Sequence, residues 1–190
     1  LVTGAGGSIG AELSKQILAQ RPSKIILFEI SEFALFQIND DLLKALKLLK
    51  SETSIVPVIG SVRDEQLVAK TIKTHGVNTI YHAAAYKHVP LVEQNVVEAI
   101  NNNVLGTLTM VRTAAELGVE NFTLISTDKA VRPTNVMGAS KRVAELICQA
   151  YAAEATKTKF CMVRFGNVLG SSGSVIPYFQ KQIDEGGPVT

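Results

Sequence analysis

Tryptophan is absent from this 190-residue sequence, and lysine and arginine form no cluster of five or more residues. The formal net charge is only +2. Nucleic-acid-binding domains usually carry a basic run or patch, so this composition predicts no nucleic-acid partner. No apolar run reaches the roughly 18 residues of a membrane span, and no signal peptide is visible. We expect a cytoplasmic protein, held at the cytoplasmic face of a membrane only by segments outside this chain.

Cysteine is also scarce, because Cys148 and Cys161 are the only two. Their spacing does not fit a metal site. Cys148 falls in a helical pattern and Cys161 in a strand pattern, which predicts two reduced core residues and no metal. The chain opens on Leu1 within an apolar run and stops at GGPVT as a new segment begins. We therefore expect it to be part of a longer protein.

The sequence does contain a regular alternation of short apolar runs and longer amphipathic runs. Strand-like runs occupy residues 1–3, 24–29, 55–59, 79–82, 122–126 and 160–164. Helical patterns occupy residues 8–20, 31–50, 64–75, 96–117 and 136–155, with Ser31 as an N-cap and Gly118 as a C-cap glycine. Six strands alternating with helices predict an α/β fold with a doubly wound, Rossmann-like parallel sheet.

The segment TGAGGSIG, residues 3–10, lies between the first strand and the first helix and contains Gly4, Gly7 and Gly10. Gly4 would allow a tight turn, Gly7 a close approach to a pyrophosphate, and Gly10 close packing of helix on sheet. The N–H groups near Ser8 and Ile9, with the helix dipole, would favour phosphate charge. The segment predicts a dinucleotide-binding loop, and the alternative is a generic glycine-rich turn.

Glu29 ends the second strand, where a carboxylate can accept a hydrogen bond from a ribose 2′-OH. A 2′-phosphate about 4 Å from this carboxylate would cost on the order of 4 kcal/mol per unit charge at an effective dielectric of ~20. Ile30 and Ser31 follow in place of an arginine and are also expected near the cofactor, and Arg63 is one strand away. The sequence therefore predicts NAD as cofactor, with NADP disfavoured.

Other strand ends should border the same cleft, because ligands of doubly wound sheets bind at the carboxyl ends of the strands. Seven further residues are therefore expected near the cofactor: Ser61, Val62, Ala83, Ala84, Ala85, Ile125 and Ser126. Small side chains at the three alanines would leave room for it, although three helix-forming alanines would look the same.

The fifth strand leads into STDKAV, so Thr127, Asp128 and Lys129 would reach the cleft near the nicotinamide. The alternative for Asp128 and Lys129 is a surface ion pair in an exposed turn. Met137 and Lys141 lie one helical turn apart and face the same way. Lys141 would hold the nicotinamide ribose hydroxyls and add positive charge.

Six segments together resemble the extended short-chain dehydrogenase/reductase superfamily: TGAGGSIG, YHAAAYKHVPLVE, NNVLGT, STDKAV, MGASK and FGNVLGSSGSVIP. More narrowly, they are similar to the CapD-like polysaccharide-biosynthesis group, which includes UDP-N-acetylglucosamine 4,6-dehydratases. The resemblance implies an NAD-binding domain over residues 1–165 and the start of a truncated sugar-nucleotide-binding lobe over residues 166–190. It also implies a UDP-sugar substrate and a homo-oligomer.

The reaction that this resemblance implies begins with hydride transfer from C4 of the sugar to NAD⁺. Lys129 would then remove the acidified C5 proton, Asp128 would protonate the departing C6 hydroxyl, and the hydride would return to C6. Lys129 can act as a base only if its pKa is lowered. The resemblance also places four residues at the substrate: Lys87, Asn167, Ser172 and Val175.

Met137 departs from the Tyr-x-x-x-Lys pattern of the superfamily, because a thioether has no proton to exchange with O4 of the sugar. A branch of the CapD-like group also carries methionine here, so the change is compatible with activity. Lys129, Asp128 and Thr127 are the open candidates for the O4 proton acceptor.

Two other functions compete with a dehydratase. One is a UDP-sugar epimerase acting at C4 or C5, but it would have no leaving group for Asp128 to protonate. The other is a non-catalytic NAD-binding module, for which Met137 is the main support. A module that only binds has no need for an acid and an amine at a strand end.

Overall fold

A six-stranded parallel sheet forms the centre of the molecule, which the computed structural model describes over residues 1–154, 157–168 and 175–189. The strands are β1 (Val2–Thr3), β2 (Lys24–Glu29), β3 (Ser54–Ile59), β4 (Thr79–His82), β5 (Asn121–Ile125) and β6 (Lys159–Val163). They lie in the order β3-β2-β1-β4-β5-β6. The predicted doubly wound, Rossmann-like α/β fold is therefore confirmed.

Helices follow the strands on both sides of the sheet. They are α1 (Ser8–Ala19), α2 (Glu32–Leu49), α3 (Glu65–His75), α4 (Val89–Gln94), α5 (Val96–Ile100), α6 (Gly106–Glu116), α7 (Val136–Ala153) and α8 (Val175–Asp184). The Ser31 side chain accepts a hydrogen bond from the Ala34 N–H and caps α2 as predicted. Gly118 follows α6 with a φ of +67°, a conformation that favours glycine.

The predicted continuous helix over residues 96–117 is wrong in detail. It consists of α5, a π-helical turn over Asn101–Leu105, and α6. The buried Asn103 lies in this turn and bonds to the backbone of Tyr86, a contact that local periodicity does not reveal. The helical patterns in the sequence also did not predict α8 or the short α4, which has Pro90 in its first turn.

The core lies in two layers, one on each face of the sheet. One layer packs α3, α6 and α7 against the sheet around Ile80, Phe122 and Leu124. The other packs α1 and α2 around Val2 and Leu27. Both layers support the carboxyl ends of β1 and β4, where the chain reverses its direction of progress through the sheet.

The two cysteines differ in burial. Cys148 is fully buried on α7, as predicted. Cys161 is exposed, so its prediction as a core residue is wrong. It lies on the edge strand β6, where Phe160 and Met162 face the core and Cys161 points to the other face.

In the part of the chain that the structure describes, no helix combines the length and the apolar character needed to cross a bilayer.

Candidate active site

The loop between β1 and α1 has glycine wherever the backbone is most crowded. Gly4 has a φ of +63°, and a Cβ there would lie 2.8 Å from the backbone of Ala84. A Cβ on Gly10 would collide with the Gly4 carbonyl oxygen. A Cβ added at Gly7 would meet that same oxygen at 3.3 Å, and no side chain caps the start of α1. The loop thus presents bare backbone at the start of a helix, a geometry suited to a phosphate group.

Glu29 is held at the end of β2 by three backbone donors. Its Oε2 accepts from the Gly6 N–H at 3.0 Å, and its Oε1 accepts from the N–H groups of Ile30 and Ser31 at 2.9 and 3.1 Å. The residue is only 8% exposed. A carboxylate has about four acceptor positions, so Oε2 retains one position for a further donor such as a ribose hydroxyl.

Two adjoining clefts, of about 510 and 260 Å³, surround this loop. The smaller cleft is lined by seven of the predicted cofactor residues outside the loop: Glu29, Ile30, Ser61, Val62, Ala83, Ala84 and Ala85. The larger cleft is lined by the loop residues Gly7, Ser8, Ile9 and Gly10 and by Lys87 and His88. Gly4 lines both. We call the loop, Glu29 and the two clefts the nucleotide end.

A buried chain of hydrogen bonds connects the strands and helices beneath the nucleotide end. The sequence patterns did not predict it. Thr107 Oγ1 donates to the Asn103 carbonyl at 2.7 Å, so it must accept from His82 Nε2 at 3.0 Å. His82 Nδ1 is then the acceptor for the Thr3 hydroxyl at 2.7 Å, and Thr3 Oγ1 accepts from the Ala84 N–H at 3.3 Å. The neutral Nε2–H tautomer satisfies every group in this chain.

His82 is suited to this neutral role. Burial, and secondarily the positive charge of Lys141, lowers the pKa of His82 from 6.5 to about 3. The Asn103 side chain continues the network, since its Nδ2 donates to the Tyr86 carbonyl at 2.9 Å and to Ser140 Oγ at 3.0 Å. The loop after β1, the end of β4 and helix α7 are thereby tied together.

The predicted reactive residues meet at the tips of β5 and β6. Lys129 Nζ lies 3.2 Å from Asp128 Oδ1 and donates to Asn167 Oδ1 at 3.2 Å. The Thr127 hydroxyl donates to Asp128 Oδ1 at 3.0 Å. The hydrogen bond from Thr127 and then that from Lys129 lower the pKa of Asp128. We call Thr127, Asp128, Lys129 and Asn167 the strand-tip end.

The two predicted residues of α7 are both buried. Lys141 is 6% exposed, and among the described residues no hydrogen bond to its Nζ is seen. Burial lowers the pKa of Lys141 from 10.5 to about 8. Met137, 4% exposed, packs with Val92 and Ala99 beneath α4 and α5. A ligand acceptor would offset part of the cost of burying the Lys141 side chain.

Ser126 and Ile125 lie differently from the cofactor contacts that the sequence predicted. The Ser126 hydroxyl donates to Glu145 Oε1 at 2.6 Å, and Ile125 is half-buried in β5. Neither residue lines the two clefts. Glu145, fully buried, also binds Arg142 and Arg164. Burial alone would raise the pKa of Glu145, but the hydrogen bonds from Arg164, Ser126 and Arg142 prevail and lower it to about 2.

The remaining predicted positions are less informative. Ser31 supports Glu29 through its N–H but does not line either cleft. Ser172 and the Val175 side chain lie outside the described residues. Within residues 1–154, 157–168 and 175–189, no group of His, Cys, Asp and Glu could hold a metal ion.

Comparison with known proteins gives matches over the whole chain. The family described as "Polysaccharide biosynthesis protein" matches residues 1–190. Capsular polysaccharide biosynthesis protein CapD of Staphylococcus aureus is 49% identical over 190 residues, which are 100% of this chain and 31% of CapD.

Two other relatives carry reaction names. UDP-glucose 4-epimerase of Rickettsia canadensis is 36% identical over 192 residues, covering 100% of this chain and 54% of that protein. UDP-N-acetylglucosamine 4,6-dehydratase (inverting) of Campylobacter jejuni serotype O:23/36 is 34% identical over 196 residues, covering 100% of this chain and 56% of that protein. The chain thus spans between 31% and 56% of the length of these three curated relatives.

Solved structures share the fold. Pen from Bacillus thuringiensis superposes with a TM-score of 0.85 at 32% identity, covering 97% of this chain and 54% of Pen. The dTDP-glucose 4,6-dehydratase DesIV of Streptomyces venezuelae, a double mutant solved with NAD and DAU bound, superposes with a TM-score of 0.80 at 24% identity, covering 99% of this chain and 62% of DesIV.

Proposed function

The chain belongs to the polysaccharide biosynthesis protein family, in the CapD-like group of the extended short-chain dehydrogenases/reductases, and from that premise we propose that it is the cofactor-binding part of a UDP-N-acetylglucosamine 4,6-dehydratase. The observation that carries this proposal is the contact of Asp128 with both Thr127 and Lys129 at the strand tips. In this hydrogen-bonded group Asp128 would act as the acid, Lys129 as the base and Thr127 as the proton relay. Residues 166–190 would begin the sugar-nucleotide lobe.

The nucleotide end fits NAD. Gly4 and Gly10 let α1 begin close against the end of β1, and Gly7 adds no side chain at the start of the helix. Glu29 keeps one acceptor position for a ribose hydroxyl, and Lys141 would supply a donor to the nicotinamide ribose. When bound, NAD supplies the acceptor for the C4 hydride. NAD is favoured over NADP because a 2′-phosphate would meet the Glu29 carboxylate. Arg63 does not relieve this conflict, since it pairs with Glu98 at 3.2 Å.

This preference can be tested on one residue. Glu29→Gln removes the negative charge and keeps an acceptor oxygen, so the affinity for NADP should rise about tenfold or more relative to NAD. Isothermal titration calorimetry with each dinucleotide measures the ratio. An unchanged ratio would show that Glu29 does not set the choice of cofactor.

The strand-tip end accounts for the protons. We assign the O4 proton to Thr127, whose hydroxyl passes its own proton to the Asp128 carboxylate. Asp128, now protonated, gives that proton to the C6 hydroxyl, which leaves as water. Lys129 is oriented by Asn167 and would act as the base after its ammonium has given one proton to solvent. The free amine takes the C5 proton and later returns a proton to C5. The low pKa of Asp128 keeps it a carboxylate until it receives the O4 proton. Met137 serves only as apolar packing in this scheme.

The proposal is tested in the complete parent protein, because the sugar-nucleotide lobe is needed to hold substrate. The protein is incubated with UDP-N-acetylglucosamine and NAD in deuterated water, and the sugar is followed by NMR. We expect a 4-keto-6-deoxy sugar with deuterium at C5, and no product from Lys129→Ala. An epimeric sugar that keeps its C6 hydroxyl would reject dehydration in favour of epimerisation.

An epimerase remains the second candidate, because the Rickettsia canadensis relative carries that name at 36% identity. A non-catalytic NAD-binding module is the third. NAD binding without turnover of any UDP-sugar that binds would favour the module. For all three candidate functions we expect the protein to form homo-oligomers. We expect it to attach to a membrane only through segments outside this chain.

A further inference from the structure

Glu145 is a fully buried residue of α7 whose carboxylate has all its acceptor positions occupied. Its Oε1 accepts from the Ser126 hydroxyl at 2.6 Å and from Arg164 Nε at 2.8 Å. Its Oε2 accepts from Arg164 Nη2 at 2.6 Å and from Arg142 Nη1 at 3.0 Å. These donors fill the roughly four acceptor positions of a carboxylate. We call Glu145, Ser126 and Arg164 the strand clamp.

The strand clamp lies at the point where β5 and β6 end. Ser126 directly follows β5, and Arg164 directly follows β6. Because the Glu145 carboxylate binds both side chains, it joins the ends of the two strands to each other and to α7. The two strand ends are also paired through the backbone, since the Ser126 N–H donates to the Val163 carbonyl at 2.8 Å.

Backbone pairing continues past the strand clamp into the strand-tip end. The Asp128 N–H donates to the Phe165 carbonyl at 3.1 Å. This bond keeps the segment after β5 beside the segment after β6. The contact of Lys129 Nζ with Asn167 Oδ1 at 3.2 Å joins the same two segments, so it requires the same register.

The chemistry of the strand clamp indicates a role beyond stability. Burying a carboxylate and an arginine costs free energy of hydration, and apolar side chains of similar volume often stabilise a protein at least as well. Bidentate hydrogen bonds between arginine and a carboxylate are directional, however, and therefore fix the relative position of the joined elements. The side chains above the clamp are weak anchors, since those of Asp128 and Lys129 are 55% and 38% exposed.

We propose, on the basis of the dehydratase function proposed above, that Glu145 is a positioning residue that holds the strand-tip end in register through Ser126 and Arg164. Glu145 does not touch the reacting groups and carries no proton, because its acceptor positions are filled within the chain. Lys141 lies four positions earlier on α7. The same contacts therefore also fix the helix that carries Lys141 against the strand tips.

The two arginines on this carboxylate provide a matched pair of variants. Arg164 comes from the end of β6, whereas Arg142 comes from α7 itself and joins no separate element. In the complete parent protein, Arg164→Gln and Glu145→Gln should each lower kcat for UDP-N-acetylglucosamine about 30-fold or more. KM and the Kd for NAD should change less than about threefold, because neither residue lines the two clefts. Arg142→Gln should keep kcat within about twofold.

Leu42→Ala controls for a general loss of stability. Leu42 is fully buried on α2, in the core layer on the other face of the sheet. This change should lower the Tm at least as much as Arg164→Gln, yet the folded protein should keep its kcat. Ser126→Ala removes a single neutral donor and decides the question if the charge changes unfold the protein, with an expected loss of about tenfold in kcat. A kcat that simply follows the Tm across these variants would overturn the proposal, as would equal losses in Arg164→Gln and Arg142→Gln.

Amide hydrogen exchange of the parent protein tests the strand clamp without the reaction. In Arg164→Gln, exchange over residues 126–130 should be about tenfold faster than in the wild type, and exchange over residues 121–125 should change less. Unchanged exchange over residues 126–130 would overturn the proposal even if the dehydratase reaction is observed. Faster exchange there in a parent protein that dehydrates no UDP-sugar would support the strand clamp and reject the proposed function, so the two failures are distinguishable.

Discussion

The nucleotide end is held by the backbone, whereas the strand-tip end is held by its own side chains. Glu29 takes three backbone donors and is 8% exposed, while the side chains of Asp128 and Lys129 are 55% and 38% exposed. The nucleotide end is therefore shaped before any ligand arrives. The strand-tip end gains little folding energy from its contacts, because exposed ion pairs contribute little.

This difference between the two ends predicts which substitutions reduce stability and which reduce only activity. Changes beneath the nucleotide end should reduce the free energy of unfolding together with cofactor binding. Changes at the strand tips should remove chemistry while the fold stays intact. The following experiments test that division, in descending order of the expected change in stability.

His82→Leu should have the largest effect on stability. It leaves the hydroxyls of Thr3 and Thr107 without the ring, at a cost of about 4 kcal/mol at neutral pH. The folded pKa of about 3 lies below the unfolded value of 6.5, so the unfolded wild-type chain binds an extra proton between these values. The wild-type free energy of unfolding thus falls as pH falls through this window, by up to about 1.4 kcal/mol per pH unit from this group.

Urea unfolding at several pH values between neutral and acidic measures both effects. The difference in the free energy of unfolding between the wild type and His82→Leu should become smaller as the pH falls. Thr107→Val is the control, because it weakens the chain but keeps His82 and its pH slope. A gap that stays constant with pH would mean that His82 is not buried in its neutral form.

Gly10→Ala should cost about 3 kcal/mol, because the new methyl group collides with the Gly4 carbonyl oxygen. Gly7→Ala should fold nearly normally, since its methyl group meets only that oxygen at 3.3 Å, yet it should weaken NAD binding by covering the phosphate approach. Thermal unfolding and calorimetry with NAD separate the two. Equal losses of stability at both positions would contradict this assignment of packing to Gly10 and ligand approach to Gly7.

Lys141→Met should raise the free energy of unfolding and reduce the affinity for the cofactor. Opposite effects on stability and on binding are typical of a functional residue. The folded pKa of about 8 lies below the unfolded value of 10.5. The unfolded chain therefore holds the extra proton between these values, and the wild-type free energy of unfolding rises with pH across the window by up to about 3 kcal/mol.

Unfolding measurements between neutral and alkaline pH check this. The rise should be missing in Lys141→Met and kept in Lys129→Met, which changes an exposed amine at the strand tips. If Lys141→Met keeps the rise, the amine of Lys141 is not the buried group that titrates.

Asp128→Asn should have the smallest effect on stability, below about 1 kcal/mol, because it disrupts only an exposed pair. Turnover of UDP-N-acetylglucosamine by the parent protein should nevertheless disappear, since an amide cannot carry the O4 proton to the C6 hydroxyl. Thermal unfolding and the NMR assay measure the two separately. A large loss of stability would show that the strand tip is structural.

Much of the architecture could be predicted because it rests on local chemistry. The short apolar runs predicted the six strands of the sheet. Gly4 and Gly118 have positive φ angles, in agreement with their predicted positions in a turn and at a helix end. The failures share a cause. Both the π-helical turn around Asn103 and the exposure of Cys161 on an edge strand depend on residues distant in the sequence.

The parallel α/β sheet, the glycine loop and the acidic end of β2 follow from the order of residues alone, because apolar periodicity and glycine conformation act over a few residues. The identity of the buried polar partners follows from the folded chain. The neutral tautomer of His82 requires Thr3 and Thr107, and these partners come from β1 and α6. The low pKa of Lys141 requires burial by several elements at once. Burial and long-range hydrogen bonding are properties of the assembled fold, since desolvation acts only where separate segments of the chain meet.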